Sequence, residues 1–364
     1  MDSLTQAVLG ASVQGAVLGR FQGRRALVYG ALLGTLPDMD VLVDFGDAVA
    51  DMTYHRGFSH SVFVLGTLAV LLTWVTRRLF PDARYSAGRL FTCIALVLLT
   101  HVSLDAFTTY GTQLFWPLTT PPVAISSIFI IDPLYTVPLL VAVIAGLLIG
   151  LGRSGLRWQY GALALSTLYL FSTLAGKHMA EDRLEQALAL AEIEPDHVFS
   201  SPTPFNTLLW RVVAVDGDDY YEGLVGWLDD APPPLERLPR HATDGQQALL
   251  TSPQHHRLRW FTRDTLRYDL IDNHWVVTDL RLGMTGYHPF RFALARETKA
   301  GERQIIADTE HWPVPEADYS RLRDLWRRAI DPSYRLSLAE LAADLNAGAE
   351  PSGLQGRASG SPLQ

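Results

Sequence analysis

The uneven distribution of charge along this chain limits its possible folds more than any other feature. Residues 1–176 contain ten Arg and nine Asp but neither Lys nor Glu, so only 19 of 176 positions are charged. The other 188 residues hold the remaining 20 basic and 29 acidic side chains. Because a water-soluble globule needs charged groups over most of its surface, the first half is predicted to lie in a membrane and the second half to be soluble.

This distribution excludes several classes of protein. A fully soluble enzyme, a disordered chain and a nucleic-acid binder with a broad basic face are all incompatible with it. The single cysteine, Cys93, lies within an apolar run, so neither an intrachain disulfide nor a Cys-based zinc site is expected.

Six apolar stretches of the first half are long enough to predict membrane spans, since crossing the bilayer takes about 20 helical residues. They are 3–19, 26–43, 57–76, 90–104, 133–152 and 158–176. The first two are the weaker ones, because 3–19 is rich in Gly and Ala and 26–43 contains Pro37, Asp38 and Asp40. The predicted fold class is a mostly α membrane bundle (residues 1–178) followed by a smaller α+β extramembrane domain with an antiparallel sheet (179–348).

Arginine clusters predict the orientation of this bundle. They occupy three connections: Arg20, Arg24 and Arg25; Arg77, Arg78, Arg84 and Arg89; Arg153 and Arg157. The positive-inside rule places these connections in the cytoplasm, so both termini and the second half are expected outside. At 1.5 Å per residue, the ionisable residues farthest from these arginines lie about 18–32 Å away, at one outer level. They are Asp38, His60, His101, Asp105 and Asp132.

Asp and His side chains at one membrane depth suit a zinc or manganese ion. His101 and Asp105 are four residues apart and so share one helix face. Asp38 and Asp40 follow Pro37, where a helix break allows carboxylates to turn inward.

Other residues near this level have more than one interpretation. Asp132 directly precedes Pro133, so a helix N-cap is as well supported as a metal ligand. Arg56 follows His55 and either anchors the chain at the interface or binds an anionic oxygen. A lone His101 would more often form an interhelical hydrogen bond, but the presence of Asp105 one turn away favours a role of His101 as a metal ligand.

Six motifs occur together in the first half. They are MDSLTQAVLG at 1–10, GTLPDMD at 34–40, HRGFSHS at 55–61, THVSLD at 100–105, TYGTQ at 109–113 and IIDPLY at 130–135. With this set, residues 1–180 resemble the YdjM-like family of bacterial inner-membrane proteins, to which metal-dependent hydrolase activity is ascribed.

The resemblance implies hydrolysis dependent on a divalent metal, with ligands similar to those of the zinc phospholipase C and P1 nuclease group. Carried over by position, the implied ligands are Asp38, His55, His60, His101 and Asp105. Whether Asp132 is a sixth ligand stays open. Many members have His at the position of Gln6. Glutamine is a poor zinc ligand, so this departure weighs against an additional ion at this corner.

Alternating patterns in the second half predict an antiparallel sheet. The predicted strands are 208–216, 220–228, 257–262, 274–282 and 303–308, with helices near 180–193, 317–330 and 336–346. Residues 349–364 are predicted to form a disordered tail. We expect His255 and His256 at the surface, and we find no catalytic triad, phosphate-binding loop or redox motif here.

Together, the residues and the resemblance predict an integral hydrolase of the bacterial cytoplasmic membrane with a divalent metal, zinc or manganese. An activated water would attack an ester or phosphodiester near the outer face, and the substrates considered include lipids and other amphiphiles. Asp40 is expected to orient or deprotonate this water, and Arg56 to bind the substrate. The alternatives are a membrane transporter and a metal-binding scaffold without catalytic activity. The sequence does not identify a protein partner.

Overall fold

The computed structural model describes residues 1–298, 302–314 and 319–343. A helical first half is followed by a unit with antiparallel sheets, which confirms the predicted fold class at this level. The predicted tail, 349–364, lies outside the described residues. The helices of the first half are α1 (Ser3–Gln22), α2 (Arg25–Gly34), α3 (Ala48–Tyr54), α4 (Val62–Leu79), α5 (Ala87–Phe107), α6 (Pro133–Ile149) and α7 (Arg153–Leu190).

Helix α1 lies at the centre of the bundle and packs against α2, α5, α6 and α7. Asp2 caps it by accepting a hydrogen bond from the Thr5 amide at 3.0 Å. Gly10 of α1 meets Gly30 of α2 so closely that the two backbones are in contact. Only residues without a Cβ permit this approach, and it brings the end of α2 beside the end of α5.

Among the described residues, α4 and α5 are the two helices long and apolar enough to cross a membrane. Helices α2 and α6 are apolar but shorter. The predicted span 26–43 is not one helix, because α2 ends at Gly34 and a 3-10 turn follows at Pro37–Leu42. Ten residues rise only about 15 Å, half the thickness of the bilayer core. The six-span bundle therefore stays a prediction.

The outer surfaces of α4, α6 and α7 are apolar. Exposed large side chains include Trp74 on α4, Leu148 on α6 and Leu168 on α7, each more than 60% exposed. A soluble bundle turns such residues inward, whereas a lipid environment allows them to face outward. This surface fits the membrane location that the charge distribution predicts.

The second half contains two four-stranded antiparallel sheets whose strands follow one another in chain order. The strands are β1 (His197–Pro202), β2 (Leu209–Asp216), β3 (Asp219–Gly226) and β4 (Glu236–Pro239) in the first sheet, and β5 (Leu266–Ile271), β6 (His274–Asp279), β7 (Arg291–Glu297) and β8 (Arg303–Ile305) in the second. The remaining helices are α8 (Ala242–Ala248), α9 (Pro253–Thr262), α10 (Tyr319–Ile330) and α11 (Leu338–Ala343).

The predicted strand 257–262 is wrong, because these residues form the end of α9. Pro253 begins this helix after Ser252, whose hydroxyl accepts from the His255 amide. Leu258 and Phe261 then fall on its buried face. The other four predicted strands overlap β2, β3, β6 and β8.

The second half is joined to the bundle at the end that carries the 3-10 turns. Helix α7 continues into it and packs Leu184 against the sheet residue Trp210. From the other side, α3 places Val49 and Met52 in the same apolar core as Phe261. The sheet domain therefore covers the loops in which the predicted site residues lie.

Candidate metal centre

Three short segments bring four ionisable side chains together. The 3-10 turn Pro37–Leu42 supplies Asp38, the 3-10 turn Phe58–His60 supplies His60, and the end of α5 supplies His101 and Asp105. Each segment has a local cause. Pro37 begins the first turn, Ser61 ends the second by capping α4, and the four-residue spacing in α5 aligns its two side chains.

Five of the six distances between the four donor atoms are nearly equal, and all six are below 4.8 Å. His60 Nε2 lies 3.4 Å from Asp38 Oδ1 and 3.2 Å from Asp105 Oδ2. His101 Nε2 lies 3.4 Å and 3.3 Å from the same two oxygens. The two Nε2 atoms are 3.3 Å apart. His60, His101 and Asp105 are fully buried, whereas the Asp38 side chain is 17% exposed.

The hydrogen bonds of the outer ring nitrogens determine the tautomers of both histidines. His101 Nδ1 lies 2.6 Å from the carbonyl oxygen of Gly34, which can only accept, so Nδ1 carries the proton. Ser59 Oγ donates to Asp40 Oδ2 at 2.5 Å and therefore accepts from His60 Nδ1 at 2.9 Å. In the neutral imidazoles, both Nε2 atoms then direct lone pairs toward the centre.

The two oxygens of Asp105 have different surroundings. Oδ1 accepts from Gln6 Nε2 at 3.1 Å, pairs with Arg56 Nη2 at 3.3 Å and also accepts from the α-amino group of Met1. Oδ2 is buried and has no hydrogen-bond donor among the described residues. An anionic oxygen without a partner is costly to bury. Oδ2 faces the two imidazole Nε2 atoms, and a cation at the centre of the group would satisfy all three atoms.

This arrangement fits a divalent ion. Tetrahedral zinc with bonds of ~2.0–2.1 Å to nitrogen and oxygen requires donors about 3.3–3.4 Å apart. Five of the six distances between the donors, 3.2–3.4 Å, agree with this requirement. The backbone carbonyl and the Ser59 hydroxyl that hold the Nδ1 protons are the usual outer partners of ligating histidines.

His55 and Asp40 form a pair beside the four-residue group. His55 Nδ1 lies 2.9 Å from Asp40 Oδ1, and its ring is 6.1 Å from the ring of His60. Asp40 Oδ2 also accepts from the Arg56 amide at 3.0 Å. The structure thus places Asp40 against His55 and Ser59 rather than among the four converging donors.

The remaining predicted site residues lie around this centre. Arg56, with φ of 59°, directs its guanidinium to Asp105 and to Thr108 Oγ1, which lies 3.3 Å from Nη1. Asp132 caps α6 through the amides of Leu134 and Tyr135, and it also accepts from the Tyr169 hydroxyl at 2.8 Å. Among the described residues, the group able to hold an ion contains neither His55 nor Asp132.

Tyr110 connects this centre to the sheet domain. Its ring lies 5.0 Å from the Arg56 guanidinium carbon and contacts Phe290. Burial raises the pKa of Tyr110 despite the charge of Arg56, so the phenol stays protonated and donates to the Met52 carbonyl at 2.7 Å. Beside it, a cleft of about 460 Å³ is lined by Asp40, His55 and His311 among others.

Two supporting residues were missed by sequence reasoning. Gln6 was considered only as a departure from a ligand position, yet it donates to Asp105. Ser59 was not among the predicted site residues, although its position directly before His60 could have indicated a supporting role. A hydroxyl adjacent to a ligating imidazole is well placed to hold the ring.

Comparisons with known proteins agree with the motifs. Residues 1–180 match the model of the family described as YdjM inner membrane protein, which confirms the resemblance. The uncharacterized protein YfhP of Bacillus subtilis (strain 168) is 26% identical over 319 residues, 80% of this chain and 89% of that protein. The inner membrane protein YbcI of Escherichia coli (strain K12) is 37% identical over 93 residues, 25% of this chain and 52% of that protein. No solved structure matches.

The family match and the four-residue group fit a metal-dependent protein of the cytoplasmic membrane.

Proposed function

We propose that this protein is an integral membrane hydrolase that uses a divalent ion, zinc or manganese, to cleave an ester or phosphodiester near the outer membrane face. The observation that carries the proposal is the convergence of four donor atoms, three of them on buried side chains and one of them the partnerless Oδ2 of Asp105. An ion there would lower the pKa of a water molecule toward about 7 and polarise the scissile bond.

The chain's own residues would divide the work as follows. Asp38, His60, His101 and Asp105 hold the ion, and Asp38 is the ligand that solvent reaches. Gln6 and Arg56 fix the orientation of Asp105 and balance its charge. The Nδ1 protons of His60 and His101 are held by hydrogen bonds to Ser59 and Gly34. Both Nε2 atoms can therefore bind an ion without rearrangement.

His55 is suited to moving a proton. Asp40 holds its Nδ1, which leaves Nε2 available at the edge of the cleft. Asp40 would thus act by orienting His55 rather than by contacting water. Arg56 lies within reach of a substrate oxygen and would bind its negative charge.

Elemental analysis of the purified protein tests the metal centre. We expect about one divalent ion per chain in the wild type and in His178→Ala, whose side chain is 79% exposed and does not belong to the four-donor group. His60→Ala and His101→Ala should lose it. The absence of stoichiometric metal from the wild type after purification in chelator-free buffer would contradict the proposal.

Turnover is tested with soluble chromogenic substrates, bis(4-nitrophenyl) phosphate and 4-nitrophenyl acetate. Chelation should abolish cleavage, and zinc or manganese should restore it. The same metal-binding variants should be inactive, while His178→Ala should retain activity.

A structural metal site is the second candidate function. Four protein ligands around a buried ion are typical of structural zinc, whereas catalytic zinc usually has three protein ligands and an open position. If this candidate holds, the protein binds metal, its thermal unfolding midpoint falls on chelation, and none of these substrates is cleaved.

A further inference from the structure

An apolar cavity of about 470 Å³ lies between the bundle and the sheet domain. His55 and Arg56 line it on the side of the metal centre. Phe129 and Ile130 of the bundle, together with side chains of the sheet domain, form its other walls. The cavity is therefore continuous with the proposed site and exists only because the two halves meet.

Arg56 provides a polar end to this cavity. Its side chain is 4% exposed, Nη2 faces Asp105, Nη1 donates to Thr108, and Nε has no hydrogen-bond partner among the described residues. A buried N–H of a cation without an acceptor is costly, so a negatively charged oxygen is the complementary ligand.

The other walls of the cavity suit hydrocarbon. Phe129 and Phe205 are in edge-to-face contact at 5.5 Å, and Met284, Leu322 and Leu325 add to the apolar lining, which Arg281 and Arg321 border. Methionine and aromatic side chains adapt well to a flexible apolar ligand. Since a methylene group occupies about the volume of a water molecule, ~30 Å³, the space holds roughly fifteen such groups. This volume accommodates one long alkyl chain.

We infer that the cavity binds the single hydrocarbon chain of an anionic amphiphile, whose charged head lies at Arg56 beside the metal centre. This rests on the proposed function for the fate of the head group, but the binding itself does not require turnover. The sheet domain thereby supplies the walls that select the substrate, and the bundle supplies the chemistry.

Photolabelling tests the binding with no dependence on catalysis. The probe is dodecyl phosphate with a terminal diazirine, added to chelator-treated full-length protein in phosphatidylcholine nanodiscs, and mass spectrometry maps the labelled residues. We expect label on α10 and on 282–290. Leu322→Trp, which fills the cavity, should reduce it at least fivefold. Ile330→Trp, on the same helix but 65% exposed, should not.

A second variant guards against misfolding of α10. Met284→Trp narrows the cavity from another wall and should also reduce labelling, with an unchanged thermal midpoint as the check on folding. A diazirine-bearing dodecanol should label more weakly than the phosphate, because it lacks the charge that Arg56 binds.

Chain-length dependence provides a catalytic readout. For 4-nitrophenyl alkyl phosphates from butyl to dodecyl, kcat/KM should rise about fourfold per added methylene until the cavity is filled. In Leu322→Trp this rise should end at a shorter chain.

The two proposals fail in different ways. The cavity inference is overturned if the label is confined to the outer faces of α4 and α6 and turnover does not depend on chain length. The proposal of hydrolysis is unaffected by that result. Cavity labelling without turnover of any substrate overturns hydrolysis and leaves the binding site standing.

Discussion

A serine hydroxyl and a backbone carbonyl determine how the two central histidines present themselves. Ser59 donates to Asp40 and accepts from His60, while the carbonyl of Gly34 accepts from His101. Both rings are thus held with Nε2 toward the two carboxylates. At the residue scale, the candidate metal centre is positioned by these outer partners as well as by its four donors.

Removing the Ser59 hydroxyl should weaken metal binding without removing a ligand. We expect Ser59→Ala to bind zinc 10–100-fold more weakly, because His60 loses the group that fixes its ring. Competition with a chelating dye measures the affinity. Ser172→Ala, an exposed serine on α7, is the control and should match the wild type. Equal affinities for Ser59→Ala and the wild type would contradict this role.

Replacing His55 distinguishes between two roles for this residue, proton transfer and metal binding. If His55 and Asp40 act beside the ion, His55→Gln should keep its metal and lose about 10²–10⁴-fold in kcat. Metal content and turnover are measured on the same preparation. Loss of the metal would instead support the ligand role that the family resemblance implies.

The crossing of α1 and α2 is the central contact at the element scale. A Cβ at Gly30 would lie 2.8 Å from the carbonyl carbon of Gly10, which is backbone and cannot move aside. Because α2 ends only four residues later, this crossing also positions the Gly34 carbonyl that binds His101 and the turn that carries Asp38.

An alanine at Gly30 should therefore destabilise the bundle. We expect overpacking to cost about 1–3 kcal/mol, more than the gain in helix propensity. Gly161→Ala, on α7 with open space around it, should instead gain about 1 kcal/mol. Thermal unfolding in detergent measures both. A Gly30→Ala midpoint at or above that of the wild type would refute the close crossing.

At the scale of the whole molecule, the sheet domain buries titratable groups that do not belong to the four-donor group. His255 is 1% exposed, which corrects the expectation of a surface position, whereas His256 is exposed. Burial lowers the pKa of His255 to about 4, although its hydrogen bond to the Leu249 carbonyl opposes this shift. Burial also lowers the pKa of His288 to about 3, helped by the charge of Arg211.

These histidines should make stability depend on pH. The unfolded chain takes up protons below about pH 6.5, whereas the folded chain keeps both rings neutral. Stability is therefore full above pH 7 and falls as the pH decreases, by about 1.4 kcal/mol per unit for each histidine. Unfolding followed by tryptophan fluorescence between pH 7 and 5 should show a shallower fall in His255→Gln than in His256→Gln. Equal slopes would exclude this contribution.

The sequence by itself determined the division of the molecule and the candidate donors. The scarcity of charged residues identified the membrane half, because lipid tolerates few ionised groups. The types and spacing of Asp38, His60, His101 and Asp105 identified them as candidate donors. Alternation found four strands. It missed β1, β4, β5 and β7. In β5 and β7, Arg267, Asp269 and Arg291 occupy buried positions, which an apolar pattern does not predict.

Only the tertiary structure decided which of these candidates meet. Spacing along the chain places His55 and Asp132 at the same depth as the four donors, but depth does not determine direction around the bundle. The α1–α2 crossing and the 3-10 turns direct His60 and Asp38 inward, while Asp40 holds His55 to one side and Asp132 caps α6. The cavity is likewise invisible in the sequence, because its walls come from segments more than 150 residues apart that pack only in the folded chain.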